Sequence, residues 1–140
     1  MSMTVARKRV GVLISGRGSN MVSLAEAARA PDYPAEIALV VSNIPDVAGL
    51  ERARGFGIAT ATVDHRPFGK DREAFERAVD ELLRLNQIDL VVLAGFMRIL
   101  TPWFVARWEG RMINIHPSLL PLSKGTHTHR QALEAGVAEH

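Results

Sequence analysis

Five short apolar runs recur along the chain, separated by segments of helical period, and this alternation limits the fold more than any other feature. The runs are residues 10–14, 36–41, 58–63, 90–94 and 112–115. Each is rich in β-branched or aliphatic side chains and mostly apolar on both faces. That is the pattern of strands buried within a parallel sheet. Among the intervening segments, residues 71–86 are the clearest helix. Ala74, Phe75, Ala78, Val79, Leu82 and Leu83 fall at i, i+3, i+4 spacing, while Glu73, Glu76, Arg77, Asp80 and Arg84 lie mostly off that stripe. Asp71 is its expected N-cap. Residues 20–29 and 47–56 read as helices in the same way. Thr101-Pro102 is a cap followed by proline at the first helical position, so a fourth helix is expected through residues 103–108. Gly55 or Gly57 should end the second helix.

The resulting order is β-α-β-α-β-α-β-α-β. With right-handed crossovers it predicts an α/β fold, a doubly wound, mostly parallel sheet with helices on both faces. Ligands of such sheets bind outside the carboxyl ends of the strands, near the switch in strand order. Residues 31–34 and 66–69 read as surface connections. A short helix is expected at residues 131–135, and nothing after it reads as a finishing strand. The expectation is a single domain, residues 1–140, that is C-terminally incomplete.

Composition narrows the function classes. Hydrophobic residues make up 47% and charged residues 23%, as in ordinary globular domains rather than disordered chains. Seventeen Lys+Arg against 15 Asp+Glu leave +2, and no basic run extends beyond Arg7-Lys8-Arg9, so nucleic acid is not an expected partner. The absence of Cys excludes disulfides and thiolate chemistry. No apolar run approaches the length of a membrane span or a signal sequence, which predicts a cytoplasmic protein without a membrane partner.

Three segments carry the candidate chemistry. Ile14-Ser15-Gly16-Arg17-Gly18-Ser19-Asn20 joins the first strand to the first helix. Its glycines permit a tight turn, and the helix N-terminus offers free N–H groups to an anion. A plain turn with Ser19 or Asn20 as N-cap is the simpler reading. A dinucleotide fingerprint fits poorly, because Met21 takes the third glycine position and the second strand runs into Ser42-Asn43 rather than an acidic residue. A phosphate monoester on a small substrate fits better. The second segment begins at Leu90 and runs through Gly95-Phe96-Met97-Arg98-Ile99-Leu100, with more hydrophobes than a solvent loop needs. Either it caps the core, or it forms a slot for a flat apolar ligand whose polar edge meets backbone groups. Arg72, at the start of the third helix, is either a solvated charge or a contact for an anionic ligand.

The third segment is Asn114-Ile115-His116-Pro117-Ser118-Leu119-Leu120-Pro121, at the end of the last strand. Period two puts Asn114 and His116 on one face and Ile115 on the other, so both polar residues are expected at the ligand crevice. Asn114 suits an oxygen gaining negative charge, and His116 suits proton movement. No nucleophile elbow is present, which favours direct attack by a substrate amine. His127 and His129 have the spacing of a metal pair but no obvious third ligand, and no metal is expected.

On these residues the chain resembles the phosphoribosylglycinamide formyltransferases of purine biosynthesis. The anchors are Ser15 to Asn20, Ser42-Asn43, Gly49 to Ala53, Ala94 to Leu100, and Asn114 to Pro121, followed by Gly125 and His127 to Leu133. The resemblance implies a Rossmann-like formyltransferase fold and transfer of the formyl group of 10-formyltetrahydrofolate, as co-substrate, to the amine of 5-phosphoribosylglycinamide. It places Gly18, Ser19 and Asn20 on the substrate phosphate. Arg72 and Met97, Arg98, Ile99 and Leu100 would hold the folate. Asn114 would bind the formyl oxygen, and His116 would donate the proton. The implied partners are these two small molecules.

Alternatives are a formyltetrahydrofolate deformylase, in which water replaces the amine, and a phosphate-ligand-binding fragment without turnover. A methionyl-tRNA formyltransferase fits less well, given the Gly-Ser-Asn loop and the lack of a basic extension. Leu122-Ser123-Lys124-Gly125 departs from the family, where an aromatic commonly occupies the position of Ser123. The family also uses an aspartate some thirty residues beyond the histidine. The 140-residue chain is therefore expected to turn over poorly by itself, and a paired assay of tetrahydrofolate release from it and from a longer version checks this.

Overall fold

The computed structural model describes residues 7–115. His116, the helix expected at 131–135, and the His127 and His129 pair lie outside them. The described residues form β1 (Lys8–Ile14), α1 (Ser19–Ala27), β2 (Ala35–Ser42), α2 (Ala48–Gly55), β3 (Ala59–Thr62), α3 (Arg72–Leu85), β4 (Leu90–Ala94), α4 (Pro102–Arg107) and β5 (Met112–Ile115). A 3-10 turn, Arg66–Phe68, interrupts the connection expected to be plain at residues 66–69. Pro67 favours such a turn by fixing its own φ.

The strands make one sheet in the order β3-β2-β1-β4-β5. All four pairings are parallel, with Val12 opposite both Val40 and Val92, and Leu93 opposite Asn114. Alternate side chains feed two separate cores. Val10, Val12, Ile14, Val40, Val92, Ala94 and Ile115 pack with Met21 and Ala25 of α1 and Leu50 and Ala53 of α2. Leu13, Leu39, Val41, Val91, Leu93 and Met112 pack with Phe75, Val79 and Leu83 of α3 and Phe104 of α4. The fold is therefore doubly wound, as the alternation predicted. β3 departs furthest from the expected full burial. Its Ala-Thr-Ala-Thr stretch forms a sheet edge, and its small side chains remain partly exposed.

Helix ends follow local chemistry. Asp71 caps α3, its Oδ1 accepting from the Ala74 N–H at 3.0 Å. α2 closes through Gly57 at φ 78, with Gly57 N–H bonded to Arg54 C=O and Ile58 N–H to Ala53 C=O. That paired pattern is the Schellman motif, which a glycine at the left-handed position favours.

Two acidic residues depart from the expectation for the outer face of α3. Glu76 and Asp80 are buried, at 1% and 3% exposure. Each meets a polar partner far along the chain. Glu76 accepts from the Thr101 N–H at 2.7 Å and from the Thr101 hydroxyl, so that hydroxyl faces α3 instead of capping α4. Asp80 accepts from Trp108 Nε1–H at 2.9 Å and pairs with Arg84 and Arg107. Burial of both carboxylates is sustained by these bonds, since an unpartnered buried charge is strongly unfavourable.

Asp80→Ala strands the Trp108 indole N–H in the core and should cost about 1–3 kcal/mol, the penalty for a buried donor without an acceptor. Asp80→Asn keeps an acceptor and should cost less. Chemical denaturation of both variants checks the order.

Candidate functional site

β1 lies between β2 and β4, and the connections from β1 to β2 and from β3 to β4 pass over opposite faces of the sheet. The loops that follow β1 and β4 therefore diverge, which opens a crevice for a ligand. A cleft of about 200 Å³ occupies this position, lined by Gly16, Arg17, Gly18, Ser19, Asn20, Ala94 and Gly95.

The β1–α1 loop is shaped by backbone packing. Gly18 stands at the N-cap of α1 with φ 75, so neither Ser19 nor Asn20 takes that position. Both are the first residues of the helix, and their side chains are not committed to capping it. The first turn closes with Val22 N–H to Gly18 C=O at 2.8 Å, which leaves the preceding N–H groups outside the helical ladder. Arg17 is exposed at the cleft and has no ion-pair partner among the described residues. The cleft thus combines an open helix N-terminus, two polar side chains and a guanidinium.

Gly49, at the start of α2, presses on this loop. A Cβ there would lie 2.7 Å from Gly16 O and 2.5 Å from Ile14 Cδ1, and one on Gly18 would lie 2.9 Å from Gly49 Cα. The contact is sealed by Gly49 N–H to Gly16 C=O at 3.0 Å. Gly49 stood in the sequence as a conspicuous part of Gly49-Leu50-Glu51-Arg52-Ala53, but its contact with a loop thirty residues earlier had no local signal.

The β4–α4 loop divides its hydrophobes. Phe96 and Leu100 pack on the core, while Met97 and Ile99 are 79% and 72% exposed. The core-capping reading of this segment therefore holds for Phe96 and Leu100, and Met97 and Ile99 are left open to solvent. Phe96 stacks on Phe75 at 6.4 Å, and the Arg98 guanidinium lies 5.9 Å from the Phe75 ring. Arg72 opens α3 one turn before Phe75 and is exposed. Asn114 is half-buried on β5 opposite Leu93, and alternation places it on the face opposite to Ile115. The fold thus brings residues 16–20, the 96–100 loop and Asn114 to the ends of three adjacent strands.

Further polar residues join the strand ends. Ser15 and Asn43 are buried and bonded to each other at 2.5 Å. Ser15 Oγ also accepts from the Met97 N–H at 2.8 Å. His65 Nδ1 lies 3.1 Å from both Asn43 Nδ2 and Asn43 O. The turn presenting His65 is clamped by Asp64, which accepts from the Arg66 guanidinium and backbone N–H. The Arg66 side-chain bond is the main cause that lowers the Asp64 carboxyl from 3.8 to about 2. The folded-state value is depressed, so the clamp persists above about pH 4 and is lost as pH falls through about 2. Because the pair is exposed, it orders the turn more than it stabilises the fold. Among the described residues no group of three or more His, Asp or Glu could hold a metal ion, and no helix is long and apolar enough to cross a membrane.

Residues 8–140 match the family model described as formyl transferase. The chain belongs to the formyl transferase family. It is 50% identical over 131 residues to the human trifunctional purine biosynthetic protein adenosine-3, covering 94% of this chain and 13% of that protein. It is also 50% identical over 129 residues to Escherichia coli phosphoribosylglycinamide formyltransferase, covering 92% of this chain and 60% of that protein. The crystal structure of phosphoribosylglycinamide formyltransferase from Brucella melitensis superposes with a TM-score of 0.77 at 48% identity, over 94% of this chain and 68% of that one. The chain spans less than two thirds of the length of these curated relatives.

Gly49→Ala should cost about 1–3 kcal/mol, the range for overpacking at a site where backbone must move. Thermal or chemical denaturation measures it. Gly55→Ala, where a Cβ meets nothing within 4 Å, is the control with little expected loss.

Proposed function

We propose that this chain supplies the phosphate-binding loop and part of the formyl-donor site of a phosphoribosylglycinamide formyltransferase. The observation that carries the reading is the cleft at the strand-order switch, built from an open helix N-terminus with Arg17, Ser19 and Asn20 at its rim. A phosphate monoester suits this combination, because N–H groups and a guanidinium both favour concentrated negative charge. The relatives named phosphoribosylglycinamide formyltransferase support the choice of substrate.

Under this reading Gly18, Ser19 and Asn20 hold the 5-phosphate of the ribonucleotide, and Arg17 adds a positive charge at the mouth. Met97 to Leu100 receive the pterin of 10-formyltetrahydrofolate along the loop backbone, with Arg72 and Arg98 nearby. The substrate amine attacks the formyl carbon, and the carbonyl electron pair moves onto oxygen. Asn114 donates to that oxygen as its charge grows. His116 carries the proton from the attacking amine towards the departing folate nitrogen. The carbon–nitrogen bond to folate then breaks, giving formylglycinamide ribonucleotide and tetrahydrofolate. No metal takes part in this scheme.

Ser19→Asp should weaken phosphoribosylglycinamide binding by about tenfold through like-charge repulsion while leaving tetrahydrofolate binding unchanged. Titration calorimetry with each ligand separates the two effects, and equal losses would refute the loop assignment. In an active form of the enzyme, Asn114→Ala should lower turnover by about 10²–10³ and His116→Ala by about 10²–10⁴. Tetrahydrofolate release under chemistry-limited conditions reads both.

A further inference from the structure

The β4–α4 loop carries a contradiction that its own sequence does not resolve. Met97 and Ile99 point into solvent, yet the backbone beneath them is tied down at both ends by buried polar side chains. We propose that Ser15, oriented by Asn43, and Glu76 are positioning residues that set the backbone of residues 97–101 to receive the formyl donor. This rests on the reading that the loop binds that donor.

The direction of the hydrogen bonds supports the assignment. The Met97 N–H can only donate, so Ser15 Oγ must accept from it at 2.8 Å. The Ser15 hydroxyl hydrogen is then free to go to Asn43 Oδ1, 2.5 Å away. Asn43 is held in the matching orientation by its other amide atom. Its Nδ2 donates to His65 Nδ1 at 3.1 Å when the imidazole carries its proton on Nε2, and in the other tautomer Nδ1–H donates to the Asn43 carbonyl at 3.1 Å, so His65 is tied to Asn43 in both. A flipped Asn43 amide would set Nδ2 against the Ser15 hydroxyl and remove the acceptor that aims it. The chain of donors thus runs in one direction from the Met97 N–H through Ser15 to Asn43, across the ends of β4, β1 and β2.

The far end of the loop is held differently. Glu76 accepts from both the N–H and the hydroxyl of Thr101. Glu76 follows Phe75 on α3, the residue whose ring meets both Phe96 and Arg98. One helix therefore fixes the loop end and supports the loop's aromatic underside. The two bonds fix both ends of this short stretch, so a ligand reading its N–H and C=O groups meets a backbone already anchored. Preorganisation of this kind lowers the ordering cost of binding.

The test compares Ser15→Ala, Ser15→Thr and Glu76→Gln with the parent chain, using tetrahydrofolate as the probe. Amide NMR of the parent chain first asks whether tetrahydrofolate shifts the resonances of residues 97–100. No shift there would overturn the donor-loop reading itself. With a shift present, Ser15→Ala should weaken tetrahydrofolate binding roughly five- to tenfold, the scale of one lost hydrogen bond. It should also broaden or move the Met97 amide signal in the free protein while leaving phosphoribosylglycinamide binding unaltered. Ser15→Thr retains the hydroxyl and should recover most of the affinity. Glu76→Gln should perturb the Thr101 amide and weaken the same ligand. If Ser15→Ala moves the Met97 amide yet binds tetrahydrofolate as the parent does, the positioning role is wrong although the loop assignment stands. Equal weakening of both ligands would likewise overturn the proposal, because it would mark a general loss of structure.

Discussion

β1 pairs with β2 on one side and β4 on the other, and the ligand end of the molecule depends on that arrangement. A strand hydrogen-bonded on both edges cannot shift without breaking two ladders. It is also buried on both faces, with Leu13 in one core and Val12 and Ile14 in the other. The residues that leave its carboxyl end, Ser15 to Asn20, therefore start from a fixed point. The connections to β2 and from β3 then pass over opposite faces, and the gap between them is where the cleft opens.

Two kinds of contact convert that gap into defined surfaces. On the side of α1 and α2 the contact is backbone against backbone, where Gly18 and Gly49 approach too closely to admit a Cβ. On the side of α3 and α4 it is polar, through Glu76 and Asp80, whose carboxylates reach Thr101 and Trp108. The first shapes the loop after β1. The second joins α3 to the start and end of α4, so the loop before α4 has a firm base.

Much of the framework was legible in the sequence because strands buried on both faces leave continuous apolar runs. The five runs coincide with the five described strands to within one or two residues at each end. Asp71 was legible as a cap because its partner, Ala74, lies three residues on. Features set by distant partners were not. Glu76 and Asp80 look like solvated charges on an amphipathic helix, and only the fold brings Thr101 and Trp108 to them. Asn43 read as the place where an acidic ribose ligand was missing, while its actual bonds are to Ser15 and His65. The exposed edge of β3 was hidden too, since alternating Ala and Thr resembles a buried strand until its place in the sheet is known.

The Gly18–Gly49 contact also bears on kinetics. A loop wedged against the next helix has little room to close over an arriving molecule, since any inward swing must carry α2 with it. Entry to the cleft then requires no prior rearrangement of this loop. The association rate would be governed by diffusion and by the field of Arg17 at the mouth, and would fall as added salt screens that charge. Residence time, by contrast, would depend on how many of the loop's N–H groups the bound anion engages.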